Sequence, residues 1–204
     1  MDPRWTHPFT CQAVGPSQSG KTVFTLKFIE NVKEMINPPP ERIVWCYGIY
    51  QNAFDNLNGI EFVEGLPDLQ SFDGNTRMLL ILDDLMAESN LDTEKLFTKI
   101  SHHKSVSIIY LTQNMFYKSK HNRTISLNTQ YFILFKNVRD ATQIGILAKQ
   151  MYPGNVKFMT EAFRDATKEP YGYLLVDMRQ NIDDKLRLRT NIFPDEMQMV
   201  YLPK

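Results

Sequence analysis

The sequence predicts a three-layer α/β fold, a central and mostly parallel sheet with helices on both faces, and three observations lead there. Strand-like and helix-like stretches alternate along the chain, two strand candidates are continuous apolar runs ending in polar residues, and a glycine-containing loop joins the first strand to the first helix. With 204 residues, 43% of them apolar and 23% charged, residues 1–204 have the size and composition of one globular domain with one core. No repeat, linker or low-complexity tract divides them.

Phe9 to Val14, FTCQAV, reads as a short strand, and the glycine loop follows it. KTVFTLKFIENVKEMI then places Val23, Leu26, Ile29, Val32, Met35 and Ile36 near helical spacing. Asn37-Pro38-Pro39-Pro40 ends that helix, since proline has no N–H and pushes the residue before it out of the helical region. Arg42 to Gly48 and Ile60 to Gly65 are the next two strand candidates. Arg77 to Leu85, RMLLILDDL, is apolar without alternation until its two aspartates, the pattern of a central parallel strand covered on both faces. DTEKLFTKISHH reads as a helix with Asp92 as its N-cap. Ser105 to Asn114 is a second buried strand, Gln130 to Lys136 a further one, and DATQIGILAKQMY a helix capped by Asp140. YGYLLVDM and RLRTNIF are strand-like and close enough in sequence to pair at a sheet edge.

The chemistry is concentrated at three places. Gly15-Pro16-Ser17-Gln18-Ser19-Gly20-Lys21-Thr22 matches the phosphate-loop pattern in full, on the strand and helix that give it meaning. Backbone N–H groups of Ser17 to Thr22 are suited to wrap phosphates at the positive end of a helix, Lys21 to reach the β and γ phosphates, and the Thr22 hydroxyl to bind Mg²⁺. Asp83 and Asp84 sit where a buried strand reaches the carboxyl edge of the sheet. Asp83 is the candidate to hold the metal, Asp84 the candidate to polarise an attacking water, and Glu88, farther along, a weaker base. Gln113 ends a strand expected beside that of Asp83 and can contact a γ-phosphate or orient the water, with Asn114 a second choice. ATP and Mg²⁺ are therefore the expected ligands.

Net charge is zero but unevenly placed: residues 1–94 hold six Lys+Arg against fourteen Asp+Glu, and residues 95–139 hold eight against none. A carboxylate-free stretch of that length, which includes Lys104, Lys118 and Lys120, suggests a basic surface, or else solvated lysines on unrelated faces. Cys11 and Cys46 lie in strand-like runs and read as buried thiols. His102, His103 and His121 have no companion ligand pattern. Asn122-Arg123-Thr124 fits a glycosylation acceptor, which carries no weight without a secretory signal. No apolar run approaches the ~18 residues of a membrane span, and a soluble intracellular protein is expected.

HPFTCQAVGPSQSGKT, RIVWCYGIYQNAF, LLILDDLM, IIYLTQNMF, QYFILFKNVRDATQIGILAKQMYP and YGYLLVDMRQNIDDKLRLRTNIFP together resemble the genome-packaging ATPases of eukaryotic DNA viruses and virus-like transposons. The resemblance is to the polinton (Maverick) and adintovirus type, more distantly to the poxvirus packaging ATPase, all within the FtsK–HerA superfamily of DNA-pumping ATPases. It implies a P-loop NTPase fold of the RecA/FtsK–HerA kind and an ATP-driven translocase that packages duplex DNA into a preformed capsid. It further implies a homo-oligomeric ring, a capsid or portal partner, a place of work inside the host cell, and duplex DNA as the partner of the basic stretch, with Lys104, Lys118 and Lys120 as sequence-independent phosphate contacts. Lys21 and Thr22 match the family's phosphate and magnesium ligands, Asp83 its metal aspartate and Gln113 its sensor glutamine. Asp84 stands where the wider superfamily has glutamate. Arg123 occupies the place of an arginine finger acting in trans, with Arg139, Arg187 and Arg189 as alternatives. Two other functions fit the phosphate loop: a soluble nucleotide or nucleoside kinase, and a DNA-binding scaffold that keeps ATP as a structural ligand.

Overall fold

The computed structural model describes residues 4–50, 54, 57–83, 85, 91–116 and 120–203. Their centre is a nine-stranded sheet built on the buried apolar runs. In chain order its strands are β2 (Thr10–Val14), β4 (Arg42–Tyr47), β5 (Glu61–Glu64), β6 (Met78–Asp83), β7 (Val106–Thr112), β8 (Tyr131–Phe135), β9 (Tyr173–Asp177), β10 (Leu188–Thr190) and β11 (Met199–Val200). Their spatial order is β11-β10-β9-β8-β2-β7-β6-β4-β5. Neighbours from β5 to β8 are parallel, while β9, β10 and β11 join antiparallel. YGYLLVDM and RLRTNIF do pair, as β9 with β10.

Side-chain alternation along the strands separates two cores. One face carries Cys11, Ala13, Leu79, Ile81, Ile109, Leu111 and Ile133 and is covered by α1 (Lys21–Glu30) through Phe24 and Phe28. The other is covered in two parts. Leu80, Leu82, Ile108 and Tyr110 pack on Leu96 and Phe97 of the π-helical stretch Leu96–Ile100, which follows α3 (Leu91–Lys95) and leads into α4 (Ser101–His103). Val14, Phe132, Leu134, Leu174 and Val176 pack on α6 (Thr142–Met151) and α7 (Val156–Ala166). Between the two parts, β2 presents Thr10 and Gln12. Thr10 Oγ1 donates to the Asn128 carbonyl (2.6 Å) and Gln12 Nε2 donates to Thr129 Oγ1 (2.7 Å), so the segment after α5 (Lys120–Leu127) satisfies these buried polar groups.

Several boundaries differ from the sequence reading. The first helix ends at Glu30, because Asn31 leaves helical geometry (φ −102°, ψ 18°) while its Nδ2 donates to the Lys27 carbonyl. A short helix, α2 (Val32–Met35), then leads to β3 (Ile36–Asn37), which pairs in parallel with β1 (Trp5–Thr6). The buried face of α1 is Phe24, Thr25 and Phe28, and Val23 is 66% exposed. Asp92 lies inside the first turn of α3 and pairs with Lys95 at 2.7 Å. The N-cap of α6 is Ala141 and not Asp140, although the Asp140 carboxylate, one residue earlier, accepts from the Thr142 N–H at 3.2 Å. Helices α5 and α7 were not anticipated. The signal for α7 is Asn155, which accepts from the Phe158 N–H, followed by Phe158, Met159, Ala162 and Phe163 at helical spacing.

Candidate functional site

The carboxyl edge of the parallel strands assembles the predicted residues. Val14 pairs with Thr112 and Ala13 with Leu111, while Leu111 pairs with Asp83, so three strands end in nearly one row. The Gly15 N–H donates to the Thr112 carbonyl (3.1 Å), joining the phosphate loop to the residue before Gln113. Asp83 has the strand parity of Leu79 and Ile81, hence the α1 face, and is 6% exposed.

Both loop glycines have a steric reason. A Cβ on Gly15 would lie 2.6 Å from Ser19 Oγ and 2.7 Å from Phe135 Cβ. Gly20 takes φ +106° immediately before Lys21, the conformation that turns the chain into α1, and a Cβ there would meet Tyr171 at 3.1 Å. The Ser19 N–H donates to the Pro16 carbonyl (3.2 Å), Gln18 has φ +64°, and Ser17 and Gln18 are exposed. Lys21 Nζ donates to the carbonyls of Gly15 (2.6 Å) and Pro16 (2.9 Å), which folds the ammonium back across the loop. The loop therefore surrounds a positive charge with the amino end of a ten-residue helix, an arrangement suited to a polyanion. Thr22, in the first turn of α1, and Asp83 offer one hydroxyl and one carboxylate on the same side of the sheet, a hard oxygen donor pair of the kind Mg²⁺ accepts with water completing its shell.

Gln113 and Gly15 line a small cavity with Asn137, Asp140 and Gln143. Gln143 ties its walls together: Oε1 accepts from the Met115 N–H (2.7 Å), and Nε2 donates to Asn114 Oδ1 (3.1 Å) and Asp140 Oδ2 (2.8 Å). Hydrogen bonds from the Thr142 and Gln143 side chains hold the Asp140 carboxyl below the usual carboxylate range. Sequence reasoning did not find Gln143, whose part depends on α6 packing beside the end of β7.

Other candidates are placed differently. Asp84, Glu88 and Lys118 lie outside the described residues, as does the side chain of Lys120. Lys104 precedes β7, at the amino edge opposite the phosphate loop, and its charge helps to lower the pKa of Asp73 after the Asn75 and Thr76 N–H groups. Arg123 is exposed on α5, and Arg139 is exposed just after β8. Arg187 pairs with Asp184 (2.6 Å) and donates to the Asp177 and Arg179 carbonyls. Arg189 is 1% exposed and pairs with Asp177 (3.2 Å). Arg187 and Arg189 are thus engaged at the antiparallel end of their own sheet, which argues against either as an arginine finger. Cys11 and Cys46 are buried thiols in opposite cores. Among the described residues no helix is long and apolar enough to cross a membrane.

No known family profile and no curated protein matches the chain. Solved structures similar to the chain include these two. The genome packaging NTPase B204 from Sulfolobus turreted icosahedral virus 2, in complex with ATP-γ-S, is 12% identical with a TM-score of 0.53, over 96% of this chain and 98% of that one. The cytoplasmic domain of EssC is 18% identical with a TM-score of 0.47, over 66% of this chain, which spans about a third (33%) of its length. The likeness to B204 is one of fold, a P-loop NTPase-type α/β domain matched from end to end.

Proposed function

We propose that this chain is an ATPase of the genome-packaging kind, converting ATP hydrolysis into movement of duplex DNA. The observation that carries this is the junction at the carboxyl edge, where the Gly15 N–H to Thr112 bond brings the phosphate loop beside the ends of β6 and β7, with Asp83 the last residue of β6 and Gln113 the first after β7. The end-to-end likeness in fold to a protein described as a genome packaging NTPase agrees with it.

In this reading the loop N–H groups from Ser17 to Thr22 hold the triphosphate, and Lys21 leaves the Gly15 and Pro16 carbonyls for the β and γ phosphates. Thr22 and Asp83 hold Mg²⁺, which when bound neutralises charge on the phosphate oxygens. Asp84 takes the proton of the attacking water, and Gln113 orients that water against the γ-phosphate. Arg123, exposed on α5, reaches the site of a neighbouring subunit in a ring and balances charge developing on the transferred group. Lys118 and Lys120, with Lys104 at the other end of β7, meet DNA phosphates and read no sequence. The polinton and adintovirus type, packaging into a preformed capsid, and a capsid or portal partner belong to the same proposal.

The test is steady-state ATP hydrolysis by the purified chain with and without duplex DNA. Stimulation by DNA of any sequence supports the motor. Phosphoryl transfer to a nucleotide acceptor would instead support a kinase, and tight ATP binding without turnover in the presence of DNA a scaffold.

A further inference from the structure

On the flank of the phosphate loop away from β6 and β7 stands an aromatic residue without a task in the mechanism above. Tyr171 is 68% exposed, yet it borders the loop: a Cβ placed on Gly20 would lie 3.1 Å from Tyr171 Cδ1 and 3.2 Å from its Cβ. Its backbone is in the left-handed region, φ +63°. The Gly172 N–H donates to the Glu169 carbonyl (3.1 Å), closing the turn Glu169-Pro170-Tyr171-Gly172, and the third position of such a turn with positive φ ordinarily goes to Gly or Asn. Gly172 is fixed in its own right, since a Cβ there would lie 2.5 Å from the Ala166 carbonyl oxygen. Tyrosine is thus the wrong residue for the backbone, and its exposed ring contributes little to the core. Strain of this kind is maintained where a side chain has work to do.

The sheet order says what the work is. Asp83 ends β6 and Gln113 directly follows β7, both strands on one side of β2, whereas β8 and β9 lie on its other side, and Tyr171 comes just before β9. With the reacting end of a triphosphate toward Asp83 and Gln113, the rest of the nucleotide extends along the loop toward the β8–β9 flank. Val23, exposed in the first turn of α1, adds apolar surface at the same loop. We propose that Tyr171 is the platform on which the nucleobase stacks. This rests on the reading of the loop as a nucleotide site and adds its base subsite. A ring face rewards stacking area and not a hydrogen-bond code, so ATP and GTP bind within a few-fold of each other and both bind more tightly than CTP or UTP.

The test is equilibrium binding of ATP, CTP and inorganic tripolyphosphate to the full chain and to two variants, with a melting curve for each. Tyr171→Asn suits the backbone and removes the ring; Tyr171→Phe keeps the ring. Tyr171→Asn is expected to lose roughly tenfold or more in ATP affinity, to keep its affinity for tripolyphosphate and to melt no lower than wild type, while Tyr171→Phe binds ATP as wild type does. ATP affinity unchanged in Tyr171→Asn would overturn the base platform and leave the phosphate site standing. An equal loss for ATP and tripolyphosphate would also overturn it, by showing that the loop itself had been disturbed. Failure of the wild-type chain to bind either ligand would overturn the nucleotide reading and the platform with it.

Discussion

Replacing Asp177 by Asn should be among the most damaging single changes in this protein, although it lies far from the phosphate loop. The carboxylate is fully buried and accepts from Arg179 Nη2 (2.7 Å) and Nε (3.0 Å) and from Arg189 Nη2 (3.2 Å). Arg179 also lies over the Tyr131 ring, 4.9 Å from its centroid. Burial lowers the pKa of Arg189 against the raising effect of Asp177, a sign that the pair stands against a real desolvation cost. Asp177→Asn leaves two guanidinium groups facing a neutral amide, and breaking a buried pair in this way costs about 3–5 kcal/mol. At ~2–4 °C per kcal/mol for a domain of this size, the melting midpoint should fall roughly 6–20 °C. Arg189→Met should behave oppositely. It removes a buried guanidinium whose Nε has no acceptor among the described residues, leaves Asp177 paired with Arg179 and fills similar volume, so stability should change by no more than about 1 kcal/mol or increase. Urea unfolding of both variants, compared at equal m-value, measures the contrast. If Asp177→Asn were as stable as wild type, or if Arg189→Met cost as much as Asp177→Asn, the reasoning would fail. Folded Arg189→Met without ATP turnover would return that arginine to the list of fingers.

Lys21→Ala should lose at least ~10²-fold in turnover with little change in melting, since the side chain is only partly buried and its bonds to the Gly15 and Pro16 carbonyls lie within the loop itself. Mixed with inactive Arg123→Ala subunits it should regain part of the activity, because some interfaces then pair an intact loop with an intact finger; no recovery in verified mixed rings would move the finger to Arg139 or place Arg123 in its own subunit's site. Duplex affinity should fall steeply with salt and hardly vary with sequence, and Lys118→Ala should reduce the log–log salt slope by about 1; strong preference for one sequence would contradict phosphate contacts. His7, buried against Ser107 Oγ at 2.6 Å, has its pKa lowered chiefly by that burial. Below about pH 6.5 the unfolded chain takes up a proton that the folded chain resists, so stability present above that pH is lost as pH falls. Melting midpoints from pH 7.5 to 5.5 should therefore decline less in His7→Gln than in wild type, and parallel declines would contradict the assignment.

The parts of the site that were legible in the sequence are those fixed by local chemistry. The phosphate loop needs its glycines within eight residues, and β6 and β7 announce themselves because strands covered on both faces cannot alternate. What was not legible depends on elements meeting across the fold. Asp177 and Arg189 become partners only because β9 and β10 pair antiparallel, so arginines that look available in sequence are taken up inside the sheet. Lys104 is close to Lys118 in sequence, yet β7 begins after one and ends before the other. Asn31 ends α1 inside an apolar periodicity that continues to Ile36, because its own amide caps the Lys27 carbonyl and the next residues turn away to pair with Trp5–Thr6. Tyr171 gave no sign, since a tyrosine after proline is unremarkable until its φ and its proximity to Gly20 are known.

The central claim, that hydrolysis moves this protein along duplex DNA, is tested most directly by displacement of a third strand annealed to a duplex. With ATP and Mg²⁺, wild-type protein should release the triplex-forming strand after a lag that lengthens with its distance from the loading end, and Lys21→Ala should release none. Release that is independent of ATP, or ATP turnover stimulated by DNA with no strand release at any distance, would contradict translocation.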